Sequence, residues 1–337
     1  MKVYAGMDPR LPLAEVAAYA RQVEALGFDG LHVAETVHDA FAVALLALEQ
    51  TERITVRTSV ALAFVRSPLL TAYAAWDLSA MSGGRFGLGL GTQIRQHIEE
   101  RHGMPYGEPV PRLRDYLDAV AAAFAAFRSG EPPHHNGTYY RLTRLPAYFN
   151  PGPDDTTATP ASWLGGVNPA LCRLAGERAA GFVTHPTNSN PRYLETRCLP
   201  HLEAGAAAAG RTRQDIEVVA ATPVITGATP AALDAMREHQ RRQLGFLYST
   251  PSYLPTLELY GWADLMPRLQ DMIRSDRWDQ LPALVTDEVL TELVPTAMPA
   301  DLPDLLRSRY DGLVDGLQLT LPLAPPVAEL VAALHAE

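Results

Sequence analysis

The sequence predicts an (α/β)8 barrel of the TIM type, eight parallel strands alternating with helices, and three observations carry that expectation. Four βα units pass in succession by residue 92, an alternation that demands a parallel sheet with helices on its faces. Short apolar runs then recur between helices until eight are counted. The fourth run, Phe86-Gly87-Leu88-Gly89-Leu90-Gly91, has glycine at alternate positions, so one face of it is bare backbone with something close against it.

Residues 2–6 read as the first strand, and residues 13–26 as an amphipathic helix with Val16, Ala20 and Val23 on one stripe and Gly27 as terminator. Residues 30–34 form the next strand. Asp39 then caps a helix rich in Ala and Leu that runs to about Gln50. Residues 54–62, rich in Val and Thr, are the third strand. Ser67 as N-cap and Pro68 at the first helical position open a helix to Met81, which Gly83 and Gly84 stop where left-handed geometry is needed.

After the fourth strand comes a polar segment with Pro/Gly turns at 103–111. A helix over 112–128 follows, in which Leu113, Tyr116, Leu117, Val120 and Phe124 share a face, and Gly130 ends it. Residues 131–160 read as one long loop, with an Asn136-Gly137 turn before Tyr139-Tyr140. A loop this long before the fifth strand is either mobile or functional. The barrel resumes with a strand at 162–165, a helix at 169–180 ending at Gly181, a strand at 182–184, a helix at 191–209 and a strand at 216–225. The eighth strand is 316–321.

The crossover between strands seven and eight is oversized. Residues 229–310 hold at least three helices and an aromatic loop at 248–260, an insertion suited to lid a site or to build a dimer contact. Its Phe246, Tyr248, Tyr253, Tyr260 and Trp262 suit packing first and the covering of an apolar substrate second. No repeat of solenoid period appears, so residues 1–337 are expected to form a single domain.

Composition narrows the function classes. With 47% hydrophobic and 20% charged residues the chain has the material for a sizeable core. A formal charge of −10 and no Lys/Arg run argue against nucleic acid or an anionic membrane as partner, leaving small molecules and other subunits. Cys172 and Cys198 show no CxxC spacing and no histidine cluster accompanies them, so neither a disulfide framework nor a metal site is expected. Both read as core residues. With no signal-peptide pattern at the start and no apolar run of spanning length, the expected location is a reducing cytoplasm.

Barrel enzymes carry reactive groups at the carboxyl ends of their strands. In order, those ends present Asp8, the stretch Glu35-Thr36-Val37-His38-Asp39, Ser59 to Phe64, Gly91-Thr92, Gly165 to Asn168, and His185-Pro186-Thr187. In Gly165-Gly166-Val167-Asn168-Pro169, two glycines let amides turn towards an anion, and Pro169 opens a helix whose N-terminus favours phosphate. A plain strand-to-helix turn explains the same residues equally well. His185 and Thr187 are second-rank donors to the same anion. Asp39 is a helix cap, whereas the imidazole of His38 is a candidate general acid or base and the Glu35 carboxylate a candidate to orient it.

The stretch Ser59-Val60-Ala61-Leu62-Ala63-Phe64-Val65-Arg66-Ser67-Pro68, followed by Gly84-Arg85-Phe86-Gly87-Leu88-Gly89-Leu90-Gly91-Thr92, resembles strands three and four of the luciferase-like monooxygenase superfamily. Within it, the chain is most similar to the oxidoreductases that use the deazaflavin coenzyme F420. The resemblance implies that Gly165, Gly166, Val167 and Asn168 hold the cofactor phosphate, with Asp8, Ser59, Val60, Ala61, Gly91, Thr92, His185 and Thr187 as further cofactor contacts. It places a non-prolyl cis peptide, seen in several such proteins, at Ser59-Val60, and His38 beside the reactive ring. The acidic tail of the cofactor needs cations, for which Arg66 and Arg95 are the candidates.

The implied function is hydride transfer between F420 and a small organic substrate, as reduction of a C=C or C=N bond or oxidation of an alcohol, in a protein expected to be a homodimer. One alternative is an FMN-dependent monooxygenase with a partner reductase, although the paired histidines of the luciferases are absent here. A second is a non-catalytic flavin-binding barrel.

Overall fold

The computed structural model describes residues 1–336. Eight parallel strands are present: β1 (Lys2–Gly6), β2 (Gly30–Val33), β3 (Thr55–Thr58), β4 (Phe86–Gly91), β5 (Ala161–Gly165), β6 (Gly181–Val183), β7 (Glu217–Ala221) and β8 (Gly316–Leu319). Their order is β3-β2-β1-β8-β7-β6-β5-β4, and β3 pairs with β4, Val56 opposite Phe86, which closes a (β/α)8 barrel. The third strand is broken. Its continuation Ala61–Leu62 pairs with Leu90 and Gly91, and the Ser59–Val60 peptide between the two pieces is cis.

Helices α1 (Leu13–Ala25), α2 (Ala40–Glu49), α3 (Pro68–Ser82), α4 (Pro109–Ser129), α5 (Pro169–Arg178) and α6 (Leu199–Ala208) fill the first six crossovers. The caps are those the sequence names: Asp39 accepts from the Phe41 and Ala42 amides, Ser67 accepts from Leu70, and Gly83 ends α3 at φ 64°. Helix α4 begins earlier than expected because Pro109, lacking an N–H, fits its first turn. Gly181 opens β6 instead of ending a helix, and the expected single helix over 191–209 is divided by a wide turn, Leu194–Cys198.

The long loop before β5 is less irregular than predicted. His135–Asn136 and Arg141–Leu142 form a small antiparallel hairpin, pinned to α4 by the buried Asp115 carboxylate, which accepts from the Tyr139 and Tyr140 amides and from His135. The insertion holds six helices: α7 (Pro230–Leu247), α8 (Leu254–Leu259), α9 (Leu265–Arg274), α10 (Leu281–Leu284), α11 (Asp287–Leu293) and α12 (Leu302–Tyr310). It buries an apolar cluster of its own around Tyr248, Leu257, Leu269, Val285 and Leu290, where the sequence suggested no separate core. Helix α13 (Pro325–His335) follows β8 and was not foreseen. No helix among the described residues is long and apolar enough to cross a membrane.

The glycine face of β4 packs against the chain's own third strand. A Cβ at Gly89 would lie 1.8 Å from the Thr58 carbonyl oxygen, one at Gly91 2.5 Å from Val60 Cγ2, and one at Gly87 3.2 Å from the Arg57 side chain. Arg57 fills the barrel interior, its guanidinium 3.2 Å from the Trp163 ring centroid and 4.9 Å from that of Tyr4.

Candidate functional site

A cavity of about 520 Å³ opens at the carboxyl end of the barrel. Its floor and walls come from strand ends: Ala34 after β2, Ser59, Val60 and Leu62 along β3, Gly91 to Ile94 after β4, Gly165 to Asn168 after β5, Val183 to Pro186 after β6, Ala221 of β7 and Gln318 of β8. Tyr106 and Pro109 add to it from the segment before α4, and Ser252 and Tyr253 from the insertion. Among the described residues no Asp, Glu, Lys or Arg lines the cavity. It is an apolar chamber with scattered hydrogen-bonding groups.

Val60 is wedged between two strand ends. A Cβ at Gly165 would lie 2.7 Å from Val60 Cγ1, and Gly91 meets the other methyl, so glycine at both positions leaves Val60 its place against the ends of β4 and β5. At the next turn, the Asn168 side chain caps α5 by accepting from the Leu171 amide at 2.9 Å. The Gly166 carbonyl accepts from Asn188 Nδ2 at 3.4 Å and the Val167 carbonyl from the Tyr193 hydroxyl at 2.5 Å. A trans peptide sets its N–H opposite its C=O, so tethering these carbonyls turns the Val167 and Asn168 amides the other way. Neither amide has a hydrogen-bond partner among the described residues, and both residues line the cavity. Unpartnered amides at a helix N-terminus favour an anion.

At the adjacent strand end, His185 and Tyr253 stack with ring centroids 4.7 Å apart at 10°, and the Tyr253 hydroxyl lies 3.3 Å from His185 Nε2. Burial pushes His185 down to about 4 and the Tyr253 phenol up to about 12, so both are neutral at physiological pH. The insertion reaches this wall through two further hydroxyls: Tyr248 donates to the Thr187 carbonyl and Tyr260 to Asn190 Oδ1, each at 2.8 Å.

Of the residues singled out in the sequence, Ser59, Val60, Gly91, Thr92, Gly165, Gly166, Val167, Asn168 and His185 meet at the cavity. Asp8, Glu35, His38, Ala61, Arg66 and Thr187 do not. Asp8 accepts from the Arg10 amide at an exposed turn, Ala61 is buried in the strand, and Thr187 is buried with its hydroxyl 2.9 Å from His185 Nδ1. Glu35 does not orient His38. Its carboxylate grips the Arg66 guanidinium at 2.5 and 2.7 Å and accepts from the Leu62 amide at 2.6 Å, a clamp that ties the loop after β2 to β3. Arg66 also meets Asp39 at 3.0 Å, and Arg95 pairs with Glu99 at 2.7 Å, so neither expected cation is free. Gln318 and Tyr106 were missed. The strand-end rule reaches Gln318 once it is followed to the eighth strand, whereas nothing local marks Tyr106. No cluster of three potential metal ligands occurs among the described residues.

Residues 2–316 match the family model described as luciferase-like monooxygenase. A protein of Mycobacterium tuberculosis (strain H37Rv) described as uncharacterized is 38% identical over 310 residues, 91% of either chain. A putative coenzyme F420-dependent oxidoreductase of the same organism is 29% identical over 304 residues, 86% of this chain and 85% of its own. Among solved structures, the coenzyme F420-dependent tetrahydromethanopterin reductase from Methanopyrus kandleri superposes with a TM-score of 0.79 at 19% identity, over 98% of this chain and 96% of its own.

Proposed function

The chain belongs to the luciferase-like monooxygenase family, and from that membership we propose that it is a coenzyme F420-dependent oxidoreductase acting on a small, uncharged organic substrate. One observation carries the reading: unpartnered amides at the Gly166 to Asn168 turn open into an apolar chamber free of charged side chains. The residues fit the group. The Val167 and Asn168 amides would take its phosphate, and Ser59, Val60, Gly91 and Thr92 would lie along its ring system. When bound, the deazaflavin supplies the hydride chemistry.

The chain's own contribution is position, dryness and proton placement. The Glu35–Arg66 clamp fixes the β3 end that carries Ser59 and Val60. Tyr253 closes the chamber from the insertion side, where excluded water strengthens every remaining polar contact. His185 and Tyr253 replace Glu35 and His38 in this reading as the groups able to hold a proton at the chamber wall. A charged substrate is disfavoured, since burying it without a counter-charge costs several kcal/mol.

FMN is the second reading, favoured by a specific observation: Arg66 and Arg95 are both paired, so the acidic tail of F420 meets no free cation there. Titrating the apo protein with both cofactors at low and high salt decides. We expect tighter binding of F420, with a preference that salt leaves nearly unchanged because no exposed ion pair to the tail is being screened. A clear preference for FMN overturns the leading reading, and binding of neither removes both readings.

A further inference from the structure

We propose that Gln318 is a fixed hydrogen-bond donor at the cavity floor, that it recognises an accepting oxygen or nitrogen on the bound ligand, and that Arg57 imposes this polarity from inside the barrel through His32. The proposal rests on the reading of the cavity as a ligand site, although its first test does not.

The direction of each bond follows from the end of the chain that has no choice. A guanidinium has donors only, so His32 Nε2, 3.1 Å from Arg57 Nη1, is the acceptor. A neutral imidazole accepting at Nε2 carries its proton on Nδ1. That Nδ1–H lies 2.7 Å from Gln318 Oε1 and donates to it. Ser59 Oγ approaches the same oxygen at 3.5 Å. Gln318 Oε1 is thereby occupied, and the amide nitrogen, which has no partner among the described residues, is left for the cavity that Gln318 lines. Rotating the amide by half a turn would set two N–H groups against His32 and force its other nitrogen to face Arg57 as a donor. With the proton kept on Nδ1 the Gln318 contact collides instead, so the rotated amide leaves one donor-to-donor contact in either tautomer.

The relay depends on His32 remaining neutral. Burial and the neighbouring Arg57 cation both hold it well below the ordinary histidine range. Around the relay the titratable and charged groups are Tyr4, stacked on His32 at 4.7 Å between centroids, Arg57 itself, and Glu217, which accepts from Tyr4 and from Lys2. Gly87 leaves Arg57 its place, since a Cβ there would lie 3.2 Å from Arg57 Nε. In a chamber without charged walls, one donor of fixed sense discriminates strongly between a ligand that accepts and one that cannot.

Nitrogen-15 NMR of the wild-type apo protein, with His32 assigned by its loss in His32→Gln, tests the relay directly. We expect Nδ1 protonated and Nε2 bare throughout the neutral range, and the opposite tautomer overturns the proposal whatever the cofactor is. Recognition is tested with Gln318→Glu and Gln318→Leu by titrating F420 and FMN into the apo protein and cyclohexanone into the cofactor-loaded protein. At about pH 8 the Gln318→Glu carboxylate cannot donate, and a loss of roughly tenfold or more is expected, recovering as acid protonates it. His185, pushed down to about 4, charges only at the acid end of that interval, so Gln318→Glu is read against the wild type at each pH. A cofactor affinity that falls locates the acceptor on the cofactor, and a ketone affinity that falls alone locates it on the substrate. Wild-type affinity for all three probes in folded Gln318→Glu overturns the recognition.

Discussion

The two walls of the cavity are built by different means. The barrel wall, where Val60 sits between Gly91 and Gly165, is held by ladder pairing on both sides, Leu62 opposite Gly91 and Gly165 opposite Val183. The insertion wall hangs on side-chain hydroxyls: Tyr248 to Thr187, Tyr260 to Asn190, Tyr253 against His185. A wall of backbone cannot move without breaking the sheet, whereas a wall of hydroxyls can loosen while the barrel stays closed. The first fixes shape. The second supplies closure and the titratable groups.

The contrast is broken most severely at Gly89. A methyl there meets the Thr58 carbonyl at 1.8 Å, and Gly89→Ala is expected to cost about 3 kcal/mol or more, read as a lowered denaturation midpoint. Stability within about 0.5 kcal/mol of wild type would show that the sheet gives way easily and that the barrel wall is not rigid.

At the turn before α5 the effect falls on binding rather than on folding. The first atom of a new side chain at Gly166 lies 2.8 Å from Leu171 Cδ1, so Gly166→Val should displace the turn and weaken cofactor binding at least tenfold, about 1.4 kcal/mol. Unchanged affinity in a folded variant removes the turn from the site.

His185, the strand-end residue on which the insertion leans, carries a pH signature separate from that of His32 inside the barrel. His185 is pushed down to about 4 in the folded protein, so between that value and the ordinary histidine range the unfolded chain binds the proton that the folded chain refuses. Stability from this group is therefore complete above the ordinary histidine value and lost as pH falls towards 4. In His185→Gln this part of the acid-side decline in melting temperature should disappear, and an identical decline in both proteins would place the titration elsewhere.

The smallest effect sharpens the comparison best. Tyr248→Phe removes one hydroxyl and leaves the Thr187 carbonyl short of a donor, at a cost of about 1 kcal/mol. Amide hydrogen exchange should then quicken in α7 and α8 while β3, β4 and β5 keep their protection. A uniform increase would mean that the two walls open together.

The fold was legible because its signals are local. Strand and helix periodicity, the Asp39 and Ser67 caps and the Gly83 stop act within a few residues, and each is found in its place. Much of the barrel side of the site was legible for a related reason: Gly91-Thr92 and Gly165 to Asn168 are strand ends, and topology alone sends every strand end to one face. The alternating glycines were read correctly as a close approach, and at Gly91 the neighbour is Val60, beside the cavity that Gly91 also lines.

By itself, then, the sequence determined the alternation of strands and helices, the oversized seventh crossover and the rim on which a site had to form. The tertiary structure decided which polar groups on that rim are free. Glu35 and Arg66 are 31 positions apart and Gln318 and His32 are 286 apart, so their pairing depends on barrel closure and strand register, which no window of sequence contains. A charged or amide side chain acts on a ligand only with the valences its partners leave over. That remainder made Arg66 part of a clamp, left the Val167 and Asn168 amides open, and turned Gln318 into a donor.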